Sequence, residues 1–193
     1  LAKRFRFRWE TDRTAKASPV RRGVIERSED DGEVERGTTM ALDAATLALT
    51  ARELKAALTE AKIAKIFEPT RDELVLTLRT RTDTYSLLLS ARSGSARVCL
   101  TEESFENPET PPSFCMLMRK HLTGGKLLDV RMEPGDRIVY FEFQCTNEMG
   151  DLVRNILCAE LMGRYSNLVL VQNGKIIDAL KRVDFEDSDV RQL

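Results

Sequence analysis

The chain has 193 residues, with 30 Lys and Arg against 31 Asp and Glu and a formal net charge of −1. That length suits one domain, or one domain with a tail. The charge balance excludes a global positive field, so a nucleic-acid partner would have to be held by a local basic patch. No stretch approaches the roughly 20 consecutive apolar residues of a membrane-spanning helix, and a soluble protein without a membrane partner is expected.

Residues 1–39 differ from the rest. Leu1 to Arg22 carries eight basic and two acidic residues, whereas Gly23 to Thr39 carries two basic and six acidic ones. No hydrophobic periodicity persists there, so this leader is expected to be disordered, with too little apolar area to offset its ordering entropy. The acidic stretch argues against a transit peptide. Met40 is expected to open the folded domain, which would run from 40 to 193.

Asp43 to Glu60 has Leu47, Leu54 and Leu58 at helical spacing and predicts a helix. Alternating or apolar runs then predict strands at Ile63 to Phe67, Glu73 to Arg79, Tyr85 to Ser90 and Ala96 to Leu100. After a Glu- and Pro-rich loop, Ser113 to Leu122 reads as a second helix ended by Gly124-Gly125. Strand signals resume at Leu127 to Arg131, Arg137 to Cys145, Asn155 to Met162 and Asn167 to Val171. Asn173-Gly174 marks a tight hairpin into Lys175-Ile176-Ile177, because both turn positions need positive φ. The pattern predicts an α+β domain, mainly antiparallel β and sandwich-like, with two helices.

Chemistry-bearing residues are sparse. Cys99, Cys115, Cys145 and Cys158 form no CxxC pair, which leaves no zinc or redox motif. Each lies in an apolar run, as a small free hydrophobe in a reducing, cytoplasmic compartment would. His121 is the single histidine, so a His-rich metal site is excluded. Cys115 and His121 lie six apart on one helix and face different directions, which makes a poor nucleophile–base pair. No catalytic residue, cofactor, metal or small-molecule substrate is expected.

Five ordered motifs resemble one family. They are Met40-Ala41-Leu42-Asp43, Leu100 to Pro108, Pro112 to Leu122, Gly135-Asp136-Arg137-Ile138 and Met162-Gly163-Arg164-Tyr165-Ser166-Asn167. Together they are similar to the NFACT N-terminal domain of the RqcH and FbpA-type ribosome quality-control factors. The resemblance implies a fold like the N-terminal domain of formamidopyrimidine-DNA glycosylases. It also implies a non-enzymatic module that helps a larger factor bind tRNA and the large ribosomal subunit still obstructed by peptidyl-tRNA. There alanyl-tRNA is recruited and the stalled chain receives a C-terminal alanine tail.

Asp136 and Arg137 match the family's Asp-Arg motif for tRNA. A guanidinium can fork onto phosphate or a guanine edge, and a carboxylate can accept from a base amine. Asp43 matches a position linked to tRNA recruitment, although a carboxylate before a helix also caps it. Arg119, Lys120 and His121 could form a basic ridge or a merely solvated face. Arg164 and Asn167 could touch RNA or shape a tight connection, and Arg97 is a further candidate contact. Two rival readings remain: a fibronectin-binding surface adhesin, although no secretory signal is visible, and a DNA glycosylase. The second lacks the N-terminal Pro-Glu pair of those enzymes, since Ala41 and Leu42 follow Met40.

Overall fold

The computed structural model describes residues 43–182, so the expectations for the leader and for Met40 lie outside the described residues. The elements follow in the order α1 (Ala44–Leu58), β1 (Lys62–Thr70), β2 (Glu73–Arg79), β3 (Thr84–Ser90), β4 (Arg97–Thr101), α2 (Ser113–Leu122), β5 (Lys126–Met132), β6 (Ile138–Thr146), β7 (Leu152–Glu160), a short 3-10 turn (Gly163–Tyr165), β8 (Asn167–Gln172) and β9 (Lys175–Ala179). Among the described residues the strands form one nine-stranded sheet in the order β4-β3-β2-β1-β5-β6-β7-β8-β9. Every pairing is antiparallel. The sheet is thus two meanders joined side by side, β1 to β4 and β5 to β9. The α+β architecture expected from the sequence is the observed one.

The join is narrow. Lys62↔Lys126 is the one ladder pair between β1 and β5. Flanking backbone bonds support it, from Glu60 N to Leu127 O and from Ile63 N to Gly125 O, each 2.9 Å. Gly125 is required there: a Cβ on it would lie 2.5 Å from Cys145 Sγ and 2.8 Å from Leu122 O.

Irregular register at four places bends the strands, as bulges do. One core consequently draws on both meanders, with Leu76, Leu87, Phe141, Phe143, Leu157 and Leu170 all fully buried. Lys181, just beyond β9, reaches the first meander, where its Nζ donates to Ala91 O at 2.6 Å and pairs with Asp72 at 3.0 Å. Both helices close this core. Leu47, Ala51, Leu54 and Leu58 form the buried stripe of α1, and Phe114, Cys115, Met118 and Leu122 that of α2.

Two strands depart most from the sequence expectation. β1 continues through Pro69 to Thr70, past the expected end at Phe67, and a register shift between Phe67 and Thr70 accommodates the missing N–H. β7 begins at Leu152 and stops at Glu160, two residues before Met162.

Candidate nucleic-acid interface

The chain from Glu133 to Arg137 turns β5 into β6. Pro134 presets one central dihedral and Gly135 takes φ of 78°, the pairing a type II turn asks for. The Asp136 N–H closes the turn on Glu133 O at 3.2 Å. Asp136 Oδ1 then accepts from the Arg137 N–H at 2.7 Å, which fixes the carboxylate beside its own backbone. Both side chains are half-buried. Among the described residues the Arg137 guanidinium takes no hydrogen bond or ion pair, and the two side chains do not pair with each other. A half-buried turn thus presents a cation and a carboxylate with open valences.

A second loop stands against this turn. The Leu161 N–H donates to Arg137 O at 2.9 Å, and Ile138 lies opposite Glu160. Gly163, with φ of 60°, begins the 3-10 turn, and buried Ser166 holds it by donating to Gly163 O at 2.7 Å. Arg164 stacks 4.6 Å from the Tyr165 ring centroid, and the ring is 60% exposed. Nearby, Arg131 lies 4.3 Å over the Tyr140 ring. Burial, then Cys158 and Glu133, push the Tyr140 phenol above its usual range. Burial also lifts Cys158 to about 12, which leaves it no thiolate for nucleophilic work.

α1 brings Asp43 toward the same end. The helix is antiparallel to β5: its last turns meet the start of β5, where Lys55 pairs with Asp129 at 2.7 Å and the Glu60 N–H bonds Leu127 O. Its first turn therefore points toward the β5–β6 connection. Asp43 caps that turn, with Oδ1 accepting from Thr46 N at 2.6 Å, and this bond holds its carboxyl below the ordinary range.

The remaining candidates are placed elsewhere or are already engaged. Arg119 donates Nε to Ile66 O at 2.9 Å and lies over Phe67, so it ties α2 to β1. Lys120 pairs with Glu148 at 3.0 Å. The His121 carbonyl accepts from Asn155, and burial followed by Lys120 lowers its imidazole pKa. Glu148 lies in the β6–β7 turn, two residues past Thr146, and Thr146 is itself eight residues along β6 from Ile138, about 26 Å away. The Arg119-Lys120-His121 ridge is therefore remote from Asp136 and Arg137. Asn167 is buried, and its amide bonds the backbone of Lys181 on both sides, at 2.8 and 2.9 Å. Its amide is taken up in shaping this connection. Arg97 lies on the edge strand β4, half-buried opposite Ser90.

Sequence reasoning missed Glu160, which the register sets across from Ile138, and also Glu68. Glu68 is only 6% exposed, and its Oε2 has no partner among the described residues. It lines a small pocket with Cys115, Arg119 and the Pro108, Pro111 and Pro112 loop. The sequence carried no signal for this, since a charged residue in a strand is ordinarily placed facing water.

The profile of the NFACT N-terminal and middle domains matches residues 43–193. The curated relatives include the Rqc2 homolog RqcH of Streptococcus suis, 39% identical over 143 residues, covering 73% of this chain and 26% of that protein. The RqcH of Bacillus subtilis is 38% identical over 133 residues, covering 68% and 23%. The chain thus spans about a quarter of the length of the curated relatives it matches. Among solved structures, the N-terminal domain of fibronectin-binding protein PavA from Streptococcus pneumoniae aligns with a TM-score of 0.71 and 37% identity, over 74% of this chain and 55% of that one. The N-terminal part of the fibronectin/fibrinogen-binding protein of Streptococcus suis gives 0.70 and 38%, with the same coverage. By sequence profile, by identity to RqcH proteins and by fold, this chain belongs to the NFACT family.

Proposed function

We propose that this chain is the RNA-gripping N-terminal module of a ribosome quality-control factor, and that it acts without chemistry of its own. Its partners are a tRNA, alanyl-tRNA by family resemblance, and the large ribosomal subunit carrying an obstructing peptidyl-tRNA. The outcome is alanine tailing of the stalled chain, in the cytoplasm. The observation that carries this reading is the Asp136-Arg137 turn, half-buried, with a guanidinium unpaired among the described residues and a carboxylate that accepts from the Arg137 N–H. Arg164 and Tyr165 stand on the adjoining loop, where an exposed ring can stack on a base. Arg137 can fork onto phosphate or a base edge, and Asp136 can accept from an amine.

The test is tRNA binding and alanine tailing by the full-length protein, wild type against Asp136→Ala with Arg137→Ala. Loss of both activities in a folded variant is expected, and equal affinity and equal tailing would remove the turn from the mechanism. A surface-adhesin reading has behind it the fibronectin- and fibrinogen-binding names of the solved relatives. Finding the native protein mostly on the cell surface, and not with large subunits, would favour it.

A further inference from the structure

A line of cations crosses the other end of the sheet. Arg79 on β2 lies directly opposite Lys62 on β1, and Lys62 lies directly opposite Lys126 on β5. Lys126 in turn faces Gln144 on β6, which faces Arg154 on β7. Directly paired residues share a face of the sheet, so the five side chains form one row. Their chain neighbours Leu78, Ile63, Leu127, Phe143 and Asn155 are buried on the opposite face. Lys62, Arg79 and Arg154 are exposed, and Lys126 and Gln144 are half-exposed. At about 4.8 Å per strand, the row spans roughly 19 Å from β2 to β7. Lys65, exposed and opposite Thr77, adds a cation to the same face.

Carboxylates offset part of this charge. Glu60 pairs with Lys126 at 2.5 Å and Glu142 with Arg154 at 2.7 Å. The adjoining β2–β3 turn carries one charge of each sign, Arg81 and Asp83. Lys62, Lys65 and Arg79 have no carboxylate partner among the described residues. Like charges set directly opposite one another destabilise a sheet, so the row is a liability to the isolated fold that a linear polyanion would relieve.

We propose that the Arg79–Lys62–Lys126–Gln144–Arg154 row, with Lys65 beside it, is a second RNA-facing surface that holds a phosphate backbone. It is separate from the Asp136-Arg137 turn: Gln144 is six residues along β6 from Ile138, roughly 20 Å away. The row suits a phosphate backbone, because ammonium and guanidinium groups and one amide stand side by side on an open face, with no aromatic side chain among them to stack a base. The choice of RNA over other polyanions rests on the function proposed above.

The experiment measures binding of the full-length protein to tRNA and to large ribosomal subunits across a salt series. It compares wild type, Lys62→Gln, the triple variant Lys62→Gln/Lys65→Gln/Arg79→Gln, the charge-preserving Lys62→Arg/Lys65→Arg, and Arg137→Ala. Thermal melting confirms folding, and Lys62→Gln serves alone if the triple variant fails to fold. The triple variant should bind one of the two RNAs at least tenfold more weakly at low salt. Its slope of log affinity against log salt should be shallower by about one for each cation removed. The charge-preserving variant should bind like wild type, and the affected RNA identifies whether transfer or ribosomal RNA lies on the row. An unchanged slope for both RNAs, beside a weakened Arg137→Ala, overturns the row and leaves the proposed function standing. Wild type that binds neither RNA overturns both. Loss of binding to anionic phosphatidylserine vesicles with RNA binding intact overturns the row in favour of a membrane contact.

Discussion

The Leu161 N–H donates to the carbonyl of Arg137 at 2.9 Å, and this bond clamps the β5–β6 turn against the connection that leaves β7. The turn is consequently held from two directions, by its own Glu133–Asp136 closure and by the neighbouring strand. A guanidinium on such a platform has a fixed point of departure, which is what recognition of a rigid RNA requires.

Because Arg137 holds its place through backbone atoms, truncating its side chain should leave the fold intact. Arg137→Ala is expected to keep the unfolding midpoint close to wild type while weakening tRNA binding roughly tenfold or more. Calorimetry beside a tRNA titration checks this. A large drop in the midpoint would instead assign the side chain to packing.

Asp43 serves the first turn of α1 whatever else it does, and two substitutions separate the roles. Asp43→Asn retains an oxygen for the Thr46 N–H and should melt like wild type, whereas Asp43→Ala should melt at a lower temperature. If tRNA binding falls in Asp43→Asn without a change in melting, the carboxylate itself is part of the interface. The hydrogen bond lowers its folded pKa, so the capping contribution is present above the unfolded carboxyl range and is lost as pH falls through the folded value.

Asn155 is fully buried at the centre of a polar bridge. Its Nδ2 donates to His121 O and its Oδ1 accepts from Gln172 Nε2, at 2.7 and 2.8 Å. Asn155→Ala strands the carbonyl at the end of α2 and the Gln172 amide together. Chemical denaturation should show a loss of about 1–3 kcal/mol or more, without a change in secondary structure.

Glu68 should make stability depend on pH with the opposite sign to most carboxylates. Burial raises its folded pKa, and the Cys115 N–H only partly opposes this. Its favourable contribution is complete below the unfolded pKa and is lost as pH rises through the folded one. Glu68→Gln is therefore expected to raise the melting temperature at pH 8, with the advantage fading toward pH 4. Melting curves at both pH values decide it, and a variant less stable at pH 8 would contradict the burial argument.

The parts of this fold that were legible in the sequence are those written in short-range periodicity. The Leu47, Leu54 and Leu58 stripe specified α1, and all three are buried as expected. Asn173 and Gly174 adopt the positive φ values their hairpin needs, 52° and 71°. Strand pairing between distant segments has no such local signature. Nothing in the order of residues shows that Lys120 and Arg137 stand at opposite ends of β6, or that Lys62 faces cations on both neighbouring strands. The bond that Arg119 makes to Ile66 O, across 53 residues, likewise has no signature in the neighbouring sequence. β1 runs past its expected end at Phe67 for a different reason: Pro69 lacks an N–H, and the register shift between Phe67 and Thr70 that absorbs it has no signature in the sequence.

The join at Lys62 and Lys126 is the narrowest pairing in the sheet, since every other neighbouring pair of strands is zipped along several residues. What binds the two meanders into one body is therefore chiefly the core they share, with the flanking backbone bonds and the reach of Lys181 to Ala91 O and Asp72 beside it. A cavity opened in that core would tax both halves of the sheet together.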